Sequence, residues 1–115
     1  MERRNVNPWK WQDNFAFSQG VEFSSHQRVL VCAGQTASNE EGEPMHPGDM
    51  GAQLAMAFDN LAEVLKAAGM SLSNVVRLNY YATDLDALFE SWGVIAERLG
   101  AAGILFLRAK HGLSR

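Results

Sequence analysis

With 115 residues, the chain is long enough for a single domain, 1–115, and can bury about two-thirds of its unfolded surface. Hydrophobic residues at 47% and charged residues at 20% are typical of a soluble globular protein, and no apolar run approaches the ~20 residues of a transmembrane helix. The net charge is −3, and residues 1–103 contain seven basic and thirteen acidic residues. This excess of acidic residues argues against a nucleic-acid-binding domain, because neutralising phosphates needs clustered cations.

The first part of the chain predicts an arm, two strands and a loop. Residues 1–13 form the N-terminal arm. Residues 15–23, FAFSQGVEF, alternate loosely and predict a strand with a kink at Gly20. Residues 28–33 are apolar and β-branched, so they predict a second, buried strand that forms a hairpin with the first. Glycines and prolines then predict a loop over residues 38–49.

A helix is predicted over residues 50–68. Asp49 can cap its start, and Gly69 can end it. Apolar residues recur at three- and four-residue steps, which places them on one stripe facing the core: Leu54, Ala57, Phe58, Leu61, Leu65 and Ala68.

A strand, a helix and a short strand complete the predicted order. Residues 75–83 alternate between apolar and polar side chains, as a half-buried strand does. Residues 86–99 predict a helix that Gly100 ends, and residues 104–107 predict a last strand before a polar tail. The order β-β-α-β-α-β predicts an α/β protein of the α+β two-layer sandwich type, with both helices on one face of a mixed sheet.

The face of the sheet away from the helices predicts an assembly. Val75 and Tyr81 lie there among polar residues, so this face is only partly apolar. A small sheet left open on one side is commonly covered by another subunit, which predicts a homo-oligomer. A monomer with a solvated face remains the alternative, given Arg77 and Asn79.

Five segments in order carry a resemblance to a known family. They are Phe17–Val21, Val31–Gln35, Gln53–Gly69, Val75–Arg77 and Thr83–Leu85. This set resembles the Rid family, the YjgF-like reactive-intermediate deaminases also called endoribonuclease L-PSP, over roughly residues 14–103. The resemblance implies a chorismate-mutase-like fold and a homotrimer whose sheets form a central barrel. It also implies clefts between subunits that bind small carboxylate-bearing compounds.

The resemblance further implies a reaction and the residues for it. Active members hydrolyse an unstable imine or enamine to a 2-keto acid and ammonia, using a tyrosine, an arginine that binds the carboxylate, an asparagine and a glutamate. Here Phe17 occupies the tyrosine position and Trp92 the asparagine position, while Arg108 is the candidate carboxylate anchor. The glutamate has no counterpart in residues 104–115, a divergent tail. The expected catalytic residues are therefore largely absent.

Gly34 and Gln35 are the candidate wall of the ligand cleft. A glycine lets a ligand or another backbone approach closely, so its position at a strand end suits that role. The alternative is a plain bend at the end of the strand. For Arg108, the guanidinium can form the two parallel hydrogen bonds that a carboxylate accepts, and the alternative is a solvated charge near a fraying end.

The remaining reactive residues predict no metal site and no cofactor. His26, His46 and His111 lack the spacing of metal ligands. Cys32 is the single cysteine, so it cannot form an internal disulfide; we expect it in the core and the protein in the reducing cytoplasm.

Three functions follow from the residues and the resemblance. The first is deaminase-type hydrolysis of small carboxylate-bearing imines or enamines. The second is a catalytically inactive module that binds small carboxylates on the same fold. The third, ribonuclease or translation-inhibitor activity, is disfavoured by the acidic body of the chain.

Overall fold

The N-terminal arm contains a strand. The computed structural model describes residues 2–11, 20–103 and 107–112. Strand β1 (Glu2–Val6) pairs antiparallel with strand β2 (Gly20–Ser24), and Arg4 lies opposite Glu22, to which its Nε donates at 3.0 Å. Like the predicted first strand, β2 includes residues 20–23, but residues 15–19 lie outside the described part of the chain.

The predicted strand over residues 28–33 is not formed. This segment has no strand structure, and the Val29 and Val31 side chains are 71% and 88% exposed. β-branched residues favour a strand only where a neighbouring strand and a packing surface are available, and β1 provides the described pairing of β2. The sequence pattern was therefore right about the apolar character of this segment and wrong about its burial and pairing.

Helix α1 (Met50–Ala67) begins at the predicted residue, ends one residue before the predicted 68, and has the predicted caps. The Asp49 side chain accepts from the Ala52 backbone N–H at 3.0 Å, which satisfies one of the free donors at the helix start. Gly69 ends the helix in the left-handed conformation, with φ +74°. The predicted loop before α1 is also confirmed: it closes through a bridge between Ser38 and Pro44.

Two further strands pair in parallel. Strand β3 (Arg77–Ala82) follows a short 3-10 helix (Leu72–Asn74), and its residues alternate between exposed and half-buried, as predicted. Strand β4 (Leu107–Gly112) runs parallel to it, with Arg77 in register with Leu107 and Ala82 with Gly112. Of the predicted strand 104–107, β4 includes Leu107, while residues 104–106 lie outside the described part of the chain; β4 then continues through residues 108–112, which were predicted to belong to a polar tail.

The predicted second helix is two helices. Helix α2 (Leu85–Glu90) and helix α3 (Trp92–Ala101) meet at Ser91. Asp84 caps α2 by accepting from the Ala87 N–H at 3.0 Å. Serine at position 91 and glycine at 93 are weak helix formers, and such pairs commonly mark a break. Gly100 does not end α3; the left-handed residue after it is Gly103, with φ +71°.

The helices bury their apolar sides against one face of β3. Phe58 from α1, Leu88 from α2 and the two α3 residues Ile95 and Leu99 form the buried cluster, and Ile95 is 0% exposed. Half-buried side chains of β3 pack against this cluster: Leu78, Tyr80 and Ala82. The α+β class is confirmed, with the helices on one face of β3; within the described residues the strands form two separate two-stranded sheets, β1–β2 and β3–β4. Within the described residues, none of the helices combines the length and apolar character needed to cross a bilayer.

Tyr80 places a hydroxyl inside this core. The oxygen is buried and finds no hydrogen-bond partner among the described residues. Burial also raises the pKa of the Tyr80 phenol well above its ordinary value, because the charged form would lose its hydration. The ring contributes to packing, while the hydroxyl opposes folding.

We expect Tyr80→Phe to raise the free energy of unfolding at pH 7 by about 1 kcal/mol, because an unpaired buried hydroxyl costs about that much. The gain should grow above pH ~10, where the unfolded wild type loses the Tyr80 proton and the folded form keeps it, so that wild-type stability falls with rising pH. Urea unfolding at pH 7 and at high pH measures both effects. Tyr81→Phe, on the exposed side of β3, is the matched control. A clear loss of stability in Tyr80→Phe at pH 7 would contradict the expectation.

Candidate functional site

Gly34 and Gln35 lie in an open segment beside α1. A Cβ atom on Gly34 would meet nothing within 4 Å, and its φ lies outside the left-handed region that requires glycine. A bend therefore gives no conformational reason for glycine at this position. Gln35 is half-buried, and its side-chain Nε2 donates to the Ala33 carbonyl at 3.2 Å. Gly34 is exposed, and a side chain at this position would extend into open space, so its role as a cleft wall stays a prediction.

The loop directly after Gln35 is attached to helix α1 by Asn60. The Asn60 Nδ2 donates to the Thr36 carbonyl and to the Ser38 carbonyl, both at 2.9 Å. On the other side, the Met45 N–H donates to the Ala37 carbonyl at 2.8 Å. The loop is thus held between the helix and its own returning chain.

The start of the same segment is also attached to α1. The Arg28 Nη1 donates to the Ala68 carbonyl at 3.0 Å, at the C-terminal end of the helix. A cation at this end is favourable because the unpaired carbonyls there carry partial negative charge. Residues 28–38 are therefore fixed to α1 at both ends although they form no strand.

Trp92 belongs to a cluster of aromatic residues at the edge of the core. Its ring meets Tyr80 edge-on, with centroids 5.4 Å apart and planes at 62°, and lies 6.4 Å from the Phe89 ring. Such edge-to-face pairs add to the stability gained from burial. Gln35 bonds within its own segment, whereas Trp92 packs on β3 and α2, so the two are positioned by different elements.

Arg108 and Phe17 are the remaining predicted site residues. Arg108 lies in β4, in register with Leu78 of β3. Phe17 lies outside the described residues. On the exposed side of β3, the Arg77 Nε donates to Asn79 Oδ1 at 3.3 Å. The Arg77 guanidinium therefore belongs to the solvent-facing side of this strand.

The polar groups at the Gly34–Ser38 segment are suited to binding by hydrogen bonds. They comprise the backbone carbonyls and the Gln35 amide, whose Nε2 already donates to the Ala33 carbonyl, while the Asn60 amide is used in holding the loop. In the described part of the chain, no group of three or more His, Cys, Asp or Glu side chains is arranged to hold a metal ion. Cys32, three residues before Gln35, is a half-buried free thiol.

The attachment of the loop by Asn60 was missed by sequence reasoning. The position of this residue in the sequence does contain a signal: asparagine is a poor helix former, yet Asn60 lies in the interior of a long amphipathic helix. A polar residue with low helix propensity beside an apolar stripe indicates a side chain with a specific partner. The partner itself, a loop more than twenty residues earlier, could not be read from that pattern.

Comparison with known proteins gives consistent matches. The sequence model of the family described as "Endoribonuclease L-PSP" matches residues 12–103. The mitochondrial protein mmf2 of Schizosaccharomyces pombe is 31% identical over 86 residues, which are 75% of this chain and 64% of mmf2. The 2-iminobutanoate/2-iminopropanoate deaminase of Rattus norvegicus is 31% identical over 71 residues, 62% of this chain and 50% of the deaminase.

Solved structures agree with these matches. The Rid family protein YyfB from Yersinia pestis is 32% identical and superimposes with a TM-score of 0.78, covering 100% of this chain and 88% of YyfB. Protein YjgH is 25% identical, with a TM-score of 0.67, covering 100% of this chain and 87% of that structure.

The matched regions span about half to two-thirds of the length of mmf2 and the rat deaminase. The family match nevertheless covers most of this chain, and the fold of its structural relatives is the chorismate-mutase-like one that the resemblance implied. The chain belongs to the Rid/YjgF family, described as endoribonuclease L-PSP.

Proposed function

We propose that this protein hydrolyses small imines or enamines that carry a carboxylate, releasing a 2-keto acid and ammonia. The observation that carries the proposal is the open Gly34–Gln35 segment, fixed to α1 at Arg28 and Asn60. Membership of the Rid/YjgF family and the name of the rat relative, a 2-imino acid deaminase, support the same reaction class.

The reaction needs few groups. A water oxygen bonds to the imine carbon and one water proton goes to the nitrogen, which leaves a carbon bearing a hydroxyl and an amino group. The hydroxyl proton then moves to the nitrogen as the carbon–nitrogen bond breaks, so that ammonia leaves and a carbonyl remains. Backbone carbonyls at the Gly34 segment would accept hydrogen bonds from the water, and Arg108 would bind the substrate carboxylate. Catalysis of this kind rests on positioning the water against the imine carbon, an effect that can contribute several kcal/mol.

We also propose that the working form is a homotrimer whose subunits complete each site. The segment before Gly34 supports this assembly: Val29 and Val31 are 71% and 88% exposed in the single chain. Two highly exposed β-branched residues side by side with Leu30 are typical of a surface that another subunit covers. The ligand cleft would then lie between this segment and a neighbouring subunit.

Replacing Val31 by glutamate should dissociate the assembly, because a carboxylate would lose its hydration at the subunit contact. In a monomer the same change would be nearly silent, since the side chain faces solvent. Light scattering after size exclusion measures the mass. Gln27→Glu, an exposed position in the same segment, is the control; a monomeric wild type would contradict the proposed trimer.

Replacing Arg108 by alanine should lower kcat/KM for an amino-acid-derived imine about 100-fold, because a charge-assisted contact worth about 3 kcal/mol is lost. Arg108→Lys should recover only part of this, since an ammonium cannot form the parallel pair of hydrogen bonds. Ammonia release from an imine generated in the assay measures turnover. Lys110→Ala, which removes the same charge two residues along β4, is the matched control.

Equal activity in Arg108→Ala and wild type would remove Arg108 from the site. If the wild type shows no turnover, the deaminase proposal is excluded, and binding of small carboxylates without turnover is the remaining proposal.

The second function is a binding module for small carboxylates without turnover. The observation that favours it is Trp92: the family position for an asparagine holds an indole that packs against Tyr80 and Phe89. Phe17, at the tyrosine position, likewise lacks a hydroxyl. If this function is correct, 2-keto acids will raise the melting temperature while no ammonia forms; the lack of any shift across a panel of them would exclude it.

We propose a cytoplasmic location and no nucleic-acid partner. The free thiol of Cys32 supports a reducing compartment, and the excess of acidic residues opposes binding to phosphates. The S. pombe relative is mitochondrial by name, so cell fractionation is the deciding measurement.

A further inference from the structure

We propose that Asn60 is the positioning residue of the candidate site: its amide, held by α1, fixes the Thr36–Ser38 loop and so sets the place of Gly34 and Gln35. The proposal rests on the function proposed above. Asn60 itself contacts the loop and not the site's open side, so its effect on a ligand would pass through the backbone of that loop.

The two hydrogen bonds define the orientation of the amide completely. A carboxamide nitrogen carries two hydrogens, and the two carbonyls of Thr36 and Ser38 each accept from it at 2.9 Å. Since both donors are used, rotating the amide would bring its oxygen against two other oxygens. The contact therefore fixes both the distance between the loop and the helix and the direction in which the loop leaves Gln35.

The helix that carries Asn60 is rigidly placed. Phe58 and Leu61, close to Asn60 in sequence, are 6% and 8% exposed and pack in the interior. A side chain between two such anchors moves little relative to the core. A site is held precisely when its supporting groups lie on packed elements of this kind.

The loop has a particular need for this support. Residues 28–36 form no strand, so the backbone before Gly34 lacks ladder hydrogen bonds within the described chain. The other described attachment of this segment to α1 is Arg28, which lies seven residues before Gln35, whereas the Thr36 carbonyl directly follows it. Asn60 is therefore the attachment point to the core nearest the candidate cleft wall.

Asn60→Asp is the sharpest test, because it keeps the shape, removes both donors and places a carboxylate against two carbonyls. Gln53→Glu is its matched control: Gln53 lies two turns earlier in α1, and its Nε2 donates to the His46 carbonyl at 2.9 Å, farther along the same loop. Both changes introduce one charge and remove side-chain donors to the same connecting segment. Asn60→Gln, which retains both donors on a longer side chain, is the rescue variant.

The first measurement is hydrogen exchange, which needs no ligand. We expect exchange of the Ser38 and Met45 amides, which donate to Thr36 and Ala37, to become about tenfold or more faster in Asn60→Asp, in line with a loss of about 1.4 kcal/mol. Gln53→Glu should leave these two amides unchanged. Equal exchange in both variants would overturn the proposal.

The second measurement separates positioning from general stability. Asn60→Asp should raise KM for the imine, or the Kd for a 2-keto acid, about tenfold at temperatures where the protein stays folded, as expected for a loss of about 1.4 kcal/mol, and Asn60→Gln should restore part of it. A similar loss in Gln53→Glu would show a merely structural role and overturn the proposal. If the wild type neither binds 2-keto acids nor releases ammonia, the proposed function fails, and the exchange result still decides whether Asn60 holds the loop.

Discussion

The structure depends on helix α1, which packs its apolar side into the core and bonds to the 28–38 segment through its polar side. Its apolar stripe, with Phe58, Leu61 and Leu65 each less than 10% exposed, supplies one wall of the interior. Its polar side holds the 28–38 segment, through the Ala68 carbonyl at one end and the Asn60 amide at the other. The hydrophobic effect thus places the helix, and the helix in turn places a segment that has no apolar contacts of comparable depth. Precision at the candidate site derives from the core.

The exposed apolar segment is the structural basis of the proposed assembly. Val29 and Val31 have the composition of an inner strand, yet they face solvent, and β2 is paired with β1 instead of with them. A segment that is fixed at both ends and apolar in between is prepared to pair with another surface at small entropic cost, because its backbone is already restrained. This favours an assembly in which the same residues form a subunit contact and a cleft wall.

Sequence patterns succeeded where several independent physical effects favour the same local structure. Asp49, Gly69 and the apolar stripe predicted α1 because capping, glycine conformation and burial all agree there. Alternation predicted β3 for the same reason.

The patterns failed where the local sequence favours two alternative structures to a similar degree. Residues 28–33 have higher β-propensity than 2–6, yet β1 takes the place beside β2, helped by the cross-strand pair of Arg4 with Glu22 and by the Arg3 guanidinium bonding to the Val75 carbonyl. The break between α2 and α3 at Ser91 depends on small differences in helix propensity. The role of Asn60 depends on a contact across 22 and 24 residues, which periodicity does not record.

The chemistry that this site can support follows from the kind of groups it presents. Amides and carbonyls on a fixed loop can orient a water and a planar carbon–nitrogen double bond, but they change neither partner's charge. An imine of an amino acid needs little more than that, because it is already reactive towards water and becomes more so when its nitrogen is protonated. A cation such as Arg108 that binds the carboxylate would then decide which imines stay long enough to react. In the proposed function, binding and turnover would share the same loop and would differ only in whether the water is held in line with the imine carbon, which is the position that the Asn60 attachment would control.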